Sequence, residues 1–276
     1  NYFIPDYRNR VSNRTFLTFS SKLKRLKPFF KMKMVDIQPL HIKKWHTEIL
    51  EEGLSNNYLK DLHQCMKEIF DIAISLGVVS ENPVRKAGNV SRTKHRVDFW
   101  TKEEFELFIR TFDKSDVLEH LKFITCIVLF MTGLRISELQ ALVWDDIDFI
   151  DKSLIVSKSM FYQNKNKWQI NPTKTFSGNR LIYLDGMTLS NLLEWREHQK
   201  KLVKIDFIFS YNCLPITKTM LNNAIVAHSQ LAGVKTIRIH DLRHSHASLL
   251  LSLGMNDLEL KNRLGHASIQ TTLGVY

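Results

Sequence analysis

The apolar periodicity of this chain lapses after residue 83 and resumes at residue 99, and that gap constrains the fold more than any other feature. Before it, every periodic segment has helical spacing. After it, helices flank three β-like segments, so two separately built domains are expected. A length of 276 residues agrees, because one hydrophobic core rarely serves so long a chain. The expected class is α+β and mainly helical. A small all-α domain spans residues 1–83, a basic interdomain linker 84–98, and a mixed α/β domain with a small antiparallel sheet 99–276.

In the first domain Phe16, Phe19, Leu23 and Leu26 recur every three to four residues, with Lys22, Lys24, Arg25 and Lys27 between them. That is an amphipathic helix with a wet basic face, ended by Pro28. A second helix is expected from Leu40 to Glu51, and a third from a Ser55 cap to Gly77. Glu81-Asn82-Pro83 then breaks the pattern, and 84–98 carries Arg85, Lys86, Arg92, Lys94, His95 and Arg96 with little apolar spacing. In the second domain Thr101 and Glu104 have the form of a capping box. A buried helix follows at 121–131, then a helix over 134–144. Strands are expected at 154–162, 168–173 and 180–184, and helices at 187–202, 218–232, 241–253 and 257–264.

The net charge of +11 is unevenly placed: residues 1–97 hold 18 Lys and Arg against 9 Asp and Glu, the remainder 21 against 19. Excess basicity in the first third suits a surface that tracks nucleic-acid phosphates and releases their counterions, with Lys22, Lys24, Arg25, Arg92, Lys94 and Arg96 as candidate DNA contacts. A merely solvated basic face is the ordinary alternative. The longest apolar stretch, 123–131, is too short to cross a bilayer. Cys65, Cys126 and Cys213 are scattered and odd in number, which points to a reduced, cytoplasmic setting without a disulfide framework or structural zinc. A first residue that is Asn1 and a last that is Tyr276 suggest a piece of something longer.

Three segments carry chemistry: Thr132-Gly133-Leu134-Arg135-Ile136-Ser137-Glu138-Leu139, then Ile239-His240-Asp241-Leu242-Arg243-His244, then Leu264-Gly265-His266, with Tyr276 ten residues on. In this order and spacing, behind a basic helical domain, they closely resemble the tyrosine recombinase (phage integrase) family, including integrases of phages and conjugative transposons. Attack on a phosphodiester builds negative charge on the non-bridging oxygens, and fixed cations stabilise that state more than the ground state. Arginine suits the task because its planar fork grips two oxygens and keeps its proton. Arg135 and Arg243 are the matching positions. Glu138 stands three residues from Arg135 and can hold its guanidinium. A solvated ion pair is the ordinary fate of such spacing.

The resemblance implies Tyr276 as nucleophile, His240 as proton acceptor, and His266 as a group that hydrogen-bonds the phosphate or helps to position it. It makes His244 a buttress of Arg243 and leaves His246 packed within its helix. A β-hairpin lysine would protonate the leaving 5′ oxygen. Lys174 matches, with Lys158, Lys165 and Lys167 as rivals. A metal site from His240, His244 and His246 lacks an HExxH pattern and an acidic partner, and no Gly-rich loop cradles phosphate, so no metal, ATP or other cofactor is expected.

The resemblance further implies double-stranded DNA core sites as substrate, gripped by a C-shaped clamp of the two domains with the linker along the backbone between them. Four protomers would join two duplexes and exchange strands through a Holliday junction. Accessory DNA-bending or excision proteins and a bacterial, nucleoid-associated substrate would go with it. A type IB topoisomerase, or a regulator that kept the scaffold without catalysis, are the alternatives.

Overall fold

The computed structural model describes residues 3–93, 97–173, 178–266 and 268. Lys94, Arg96, Lys174 and Tyr276 lie outside them. The chain divides into two compact units, Asn1–His95 and Arg96–Tyr276.

The first unit is helical. After α1 (Phe3–Arg10), α2 (Asn13–Leu23) begins on a Ser12 hydroxyl that accepts from the Thr15 amide. The helix tightens at Lys24 into a 3-10 segment through Lys31 that contains Pro28, instead of ending at the proline. Proline is tolerated there because 3-10 hydrogen bonds have poorer geometry, so less is lost with its missing N–H. α3 (Pro39–Glu51) and α4 (Asn56–Ser75) follow, the latter capped by Ser55 as its sequence predicts. Their apolar stripes bury Ile42, Trp45, Leu59, Leu62, Met66 and Phe70 with Phe19 and Phe29 in one core.

The stretch that reads as linker from residue 84 folds in large part with this unit. Pro83–Ala87 forms α5, capped by the Asn82 carboxamide, and buries Val84 and Ala87. Arg85 grips Asp71 with two bonds of 2.9 Å, and Asn57 pins Thr93 through both its amide and its carbonyl. Five residues are too few to display a helical period, so the sequence hides α5.

The second unit packs its layers around α7 (Val117–Thr132), which is buried on nearly every side. α6 (Lys102–Ile109) carries the expected Thr101–Glu104 capping box. α7 ends at Gly133 in the left-handed conformation, φ 64°. The helix expected over 134–144 is a single turn, α8 (Ile136–Leu139), followed by a 3-10 turn at Trp144–Asp146. Tertiary bonds override propensity there: Leu142 and Trp144 pair through their backbones with Ile208 and Asp206, and Gln140 donates to the Ile216 carbonyl at 2.6 Å.

The expected strand over 154–162 divides at Ser157. β1 (Ile147–Asp148), β2 (Ser153–Val156) and β5 (Arg180–Tyr183) form one antiparallel sheet in the order β1-β2-β5, with Leu154 opposite Ile182. β3 (Lys158–Asn164) and β4 (Lys167–Pro172) form a separate hairpin, with Met160 opposite Ile170. The helices α9 (Gly186–Lys200), α10 (Lys218–Ala232), α11 (Ile239–Ser252) and α12 (Asp257–Leu264) complete the unit, close to their expected bounds. Among the described residues no helix is long and apolar enough to cross a membrane.

Candidate active site

Gly133 starts the site. Its left-handed turn releases the chain from α7, and Arg135 follows in extended conformation as the N-cap of α8 instead of inside a helix. Glu138, three residues on and buried, reaches back: Oε2 accepts the Arg135 amide at 3.0 Å and Oε1 accepts Arg135 Nη1 at 2.8 Å. One carboxylate therefore caps the turn and holds the guanidinium.

Arg243 rises from α11 into the interior, where it is only 3% exposed. Its Nη1 donates to the Gly133 carbonyl at 2.7 Å and its Nη2 to the Leu264 carbonyl at 2.5 Å. Arg135 Nη2 donates to the next carbonyl along, Gly265, at 3.3 Å. Gly265, φ 67°, closes α12, and the His266 amide turns back onto Lys261. Segments separated by more than a hundred residues thus meet on two adjacent carbonyls.

The imidazoles gather around these cations. His240 and His244, one helical turn apart, lie with ring centroids 5.0 Å apart and planes at 87°. Burial first, then the Arg243 charge, pushes His240 below the ordinary histidine range, with Asp241 opposing. His266 is pushed down to about 4 by burial and then by Arg243 and Arg135, and His244 to about 4 by burial and then by His240. Neutral imidazoles beside permanent guanidinium charges can accept a proton or donate a hydrogen bond to an anion.

Arg135, Glu138, His240, Arg243, His244 and His266 are therefore brought together, while Lys174 and Tyr276 lie outside the described residues. The rival Lys158 is held by Asp146 at 2.9 and 3.0 Å. Lys165 and Lys167 sit at the tip of the β3–β4 hairpin. Thr173 and Asn179, which flank the segment containing Lys174, bond each other at 2.5 Å. In the first unit Lys22 and Arg92 both face Asp61, at 3.3 and 3.8 Å, and Arg25 faces Glu52 at 2.6 Å. Lys24 lies where α2 tightens into its 3-10 extension. Solvent-exposed pairs such as Arg25–Glu52 are weak. Among the described residues no group of three or more His, Cys, Asp or Glu side chains could hold a metal ion.

Two arginines escaped the sequence reading. Arg180, at the start of β5, donates to Glu138 Oε2 at 2.8 Å, and Arg263 donates from Nε to His246 Nε2 at 3.0 Å. No local spacing links Arg180 to Glu138, 42 positions away, and Arg180 reads simply as the edge of a strand.

His246 accepts that bond, so it must be unprotonated on Nε2. Burial and the facing Arg263 push it down to about 3. Between about pH 3 and 6.5 the unfolded chain therefore binds a proton that the folded chain refuses, and stability rises with pH. Acidification through this window should lower the unfolding free energy of the second unit by up to about 1.4 kcal/mol per pH unit from this group. Urea midpoints at pH 7 and 4.5 measure it. His246→Gln, whose amide oxygen still accepts from Arg263, should make the fall shallower, and an unchanged slope would assign the acid sensitivity elsewhere.

A helical unit joined to a mixed α/β unit that gathers two arginines, a carboxylate and three imidazoles on its α7, α11 and α12 ends is the arrangement of a tyrosine-type site-specific recombinase. The chain belongs to the phage integrase family: residues 98–276 match the phage integrase family itself, and residues 1–50 match the phage integrase N-terminal SAM-like domain. It is 31% identical over 256 residues to the ICEBs1 integrase of Bacillus subtilis (strain 168), covering 90% of this chain and 68% of that protein. It is 26% identical over 257 residues to the transposase from transposon Tn916 of Enterococcus faecalis, covering 87% of this chain and 63% of that protein. Among solved structures, the Tn1549 transposon integrase in complex with transposon right end DNA superposes with a TM-score of 0.84 at 23% identity, covering 98% of this chain and 91% of that one. A lambda integrase dimer bound to a COC′ core site gives 0.73 at 18% identity, covering 98% and 94%. At these identities the structural likeness establishes the fold.

Proposed function

We propose that this chain recombines DNA at defined core sites to integrate or excise a mobile element, acting through a 3′-phosphotyrosyl link to Tyr276. The phenol oxygen attacks phosphorus as His240 takes its proton, and the bond from phosphorus to the 5′ oxygen breaks. Lys174 protonates that leaving oxygen. Arg135, Arg243 and His266 hold the non-bridging oxygens, whose charge grows as attack proceeds. Reversal with a 5′ hydroxyl from a second duplex reseals the strand. The phosphotyrosyl bond conserves the energy of the cleaved one, so the chemistry needs no ATP.

The observation that carries this reading is the convergence of Arg243 and Arg135 on the neighbouring carbonyls of Leu264 and Gly265, immediately before His266. The relatives support its setting: an integrase of ICEBs1, a transposase of Tn916, and a lambda integrase tetramer bound to a Holliday junction. By that analogy four protomers hold two duplexes.

Incubation with a core-site duplex nicked near the crossover, the site first selected by the protein from a DNA library, should trap a covalent adduct. Proteolysis and mass spectrometry should place the nucleotide on Tyr276. An adduct on any other side chain makes the nucleophile wrong, and none at all on a tightly bound site favours a DNA-binding regulator.

A further inference from the structure

Resting on the recombinase reading above, we infer that Arg180 is a positioning residue for strand cleavage, acting through Glu138 to keep Arg135 placed and available to the scissile phosphate. The geometry is unusual for a structural arginine. Its side chain is only 5% exposed, and Nη2 and Nη1 both donate to the Glu138 carboxylate, at 2.8 and 3.4 Å. Nε donates to the Arg263 carbonyl at 2.8 Å and Nη1 also to the Gly178 carbonyl at 3.1 Å. Glu138 thus sits between two guanidiniums and accepts the Arg135 amide as well.

Charge explains why two arginines share one acid. An Arg135–Glu138 pair alone would be neutral, and an undivided carboxylate would compete with the phosphate for Arg135. Arg180 takes up part of the carboxylate, so the three side chains keep one net positive charge, with Glu138 and Arg180 buried and Arg135 partly open to solvent. Arg180 also ties β5 to α12 through the Arg263 carbonyl, one residue before the Leu264 carbonyl that receives Arg243. Both arginines of the site are therefore referred to one frame.

The test is a double-mutant cycle on single-turnover cleavage of the nicked duplex, with DNA affinity measured alongside. Arg180→Met should slow cleavage at least about tenfold while affinity stays within about twofold. Arg180→Lys should recover part of the rate, because its ammonium returns a charge to Glu138 but cannot span all three acceptors. In a Glu138→Gln background the Arg180→Met change should add little. Losses that multiply instead, or an affinity that falls in step with the rate, overturn the inference. If Arg180→Met does not fold, Arg180→Lys in both backgrounds carries the same cycle. An unaltered chain that makes no adduct overturns the recombinase reading itself, whereas an adduct formed equally fast by Arg180→Met overturns only the role of Arg180.

Discussion

Arg243→Ala is expected to abolish strand cleavage, by about a thousandfold or more in single-turnover rate, with core-site affinity nearly unchanged. A charge that appears mainly in the transition state is worth far more to a preorganised guanidinium than the ground-state phosphate is. Affinity, by contrast, is spread over many backbone phosphate contacts, and losing one among them changes it modestly. The structure adds a second consequence. The guanidinium joins the Gly133 and Leu264 carbonyls in a site where it is almost wholly buried, so alanine leaves two acceptors without their donor. Thermal stability should fall with it, by about 2–4 kcal/mol. Arg243→Lys separates the two effects, because it keeps the charge but cannot span both carbonyls. Its cleavage should remain severely impaired although it regains part of the lost stability. A parallel collapse of DNA binding would make Arg243 a docking residue.

Gly133→Ala should be the most damaging small substitution to stability, costing about 2–4 kcal/mol. The residue has φ 64°, and a Cβ there would lie 2.6 Å from His246 Cδ2 and 2.8 Å from Leu264 Cδ2. His246 is fixed by Arg263 and Leu264 by its place in a small buried cluster, so neither can withdraw cheaply. Gly233→Ala supplies the comparison. That glycine has φ 67° and nothing within 4 Å of the added carbon, so it should show only the conformational cost, about 1 kcal/mol. Chemical denaturation of both variants measures the difference. Equal costs would remove the steric argument. Cleavage should also fall in Gly133→Ala, because the Gly133 carbonyl is one of the two that seat Arg243.

Much of the site was legible because its residues lie in short, strongly patterned segments. Arg135 and Glu138 are three apart as the N-cap of α8 and its third residue, and His240 and Arg243 are three apart on α11, so in both pairs the local backbone brings the side chains to one side. The capping residues Ser55 and Thr101 likewise act within their own turn. α5 and Arg180 were not legible. The first is too short for a period, and the second has partners set by strand order.

What the sequence by itself determined, then, is where the long helices run and that two units are joined. These follow from interactions within a few residues, which any chain of this composition must satisfy locally. Only the tertiary structure decided that the helix expected after Gly133 would be one turn, that the strand after Leu154 would divide between two sheets, and that Glu138 would serve two arginines. The reason is physical: a buried donor or acceptor must find a partner wherever the packed chain offers one, and that search is indifferent to distance along the sequence.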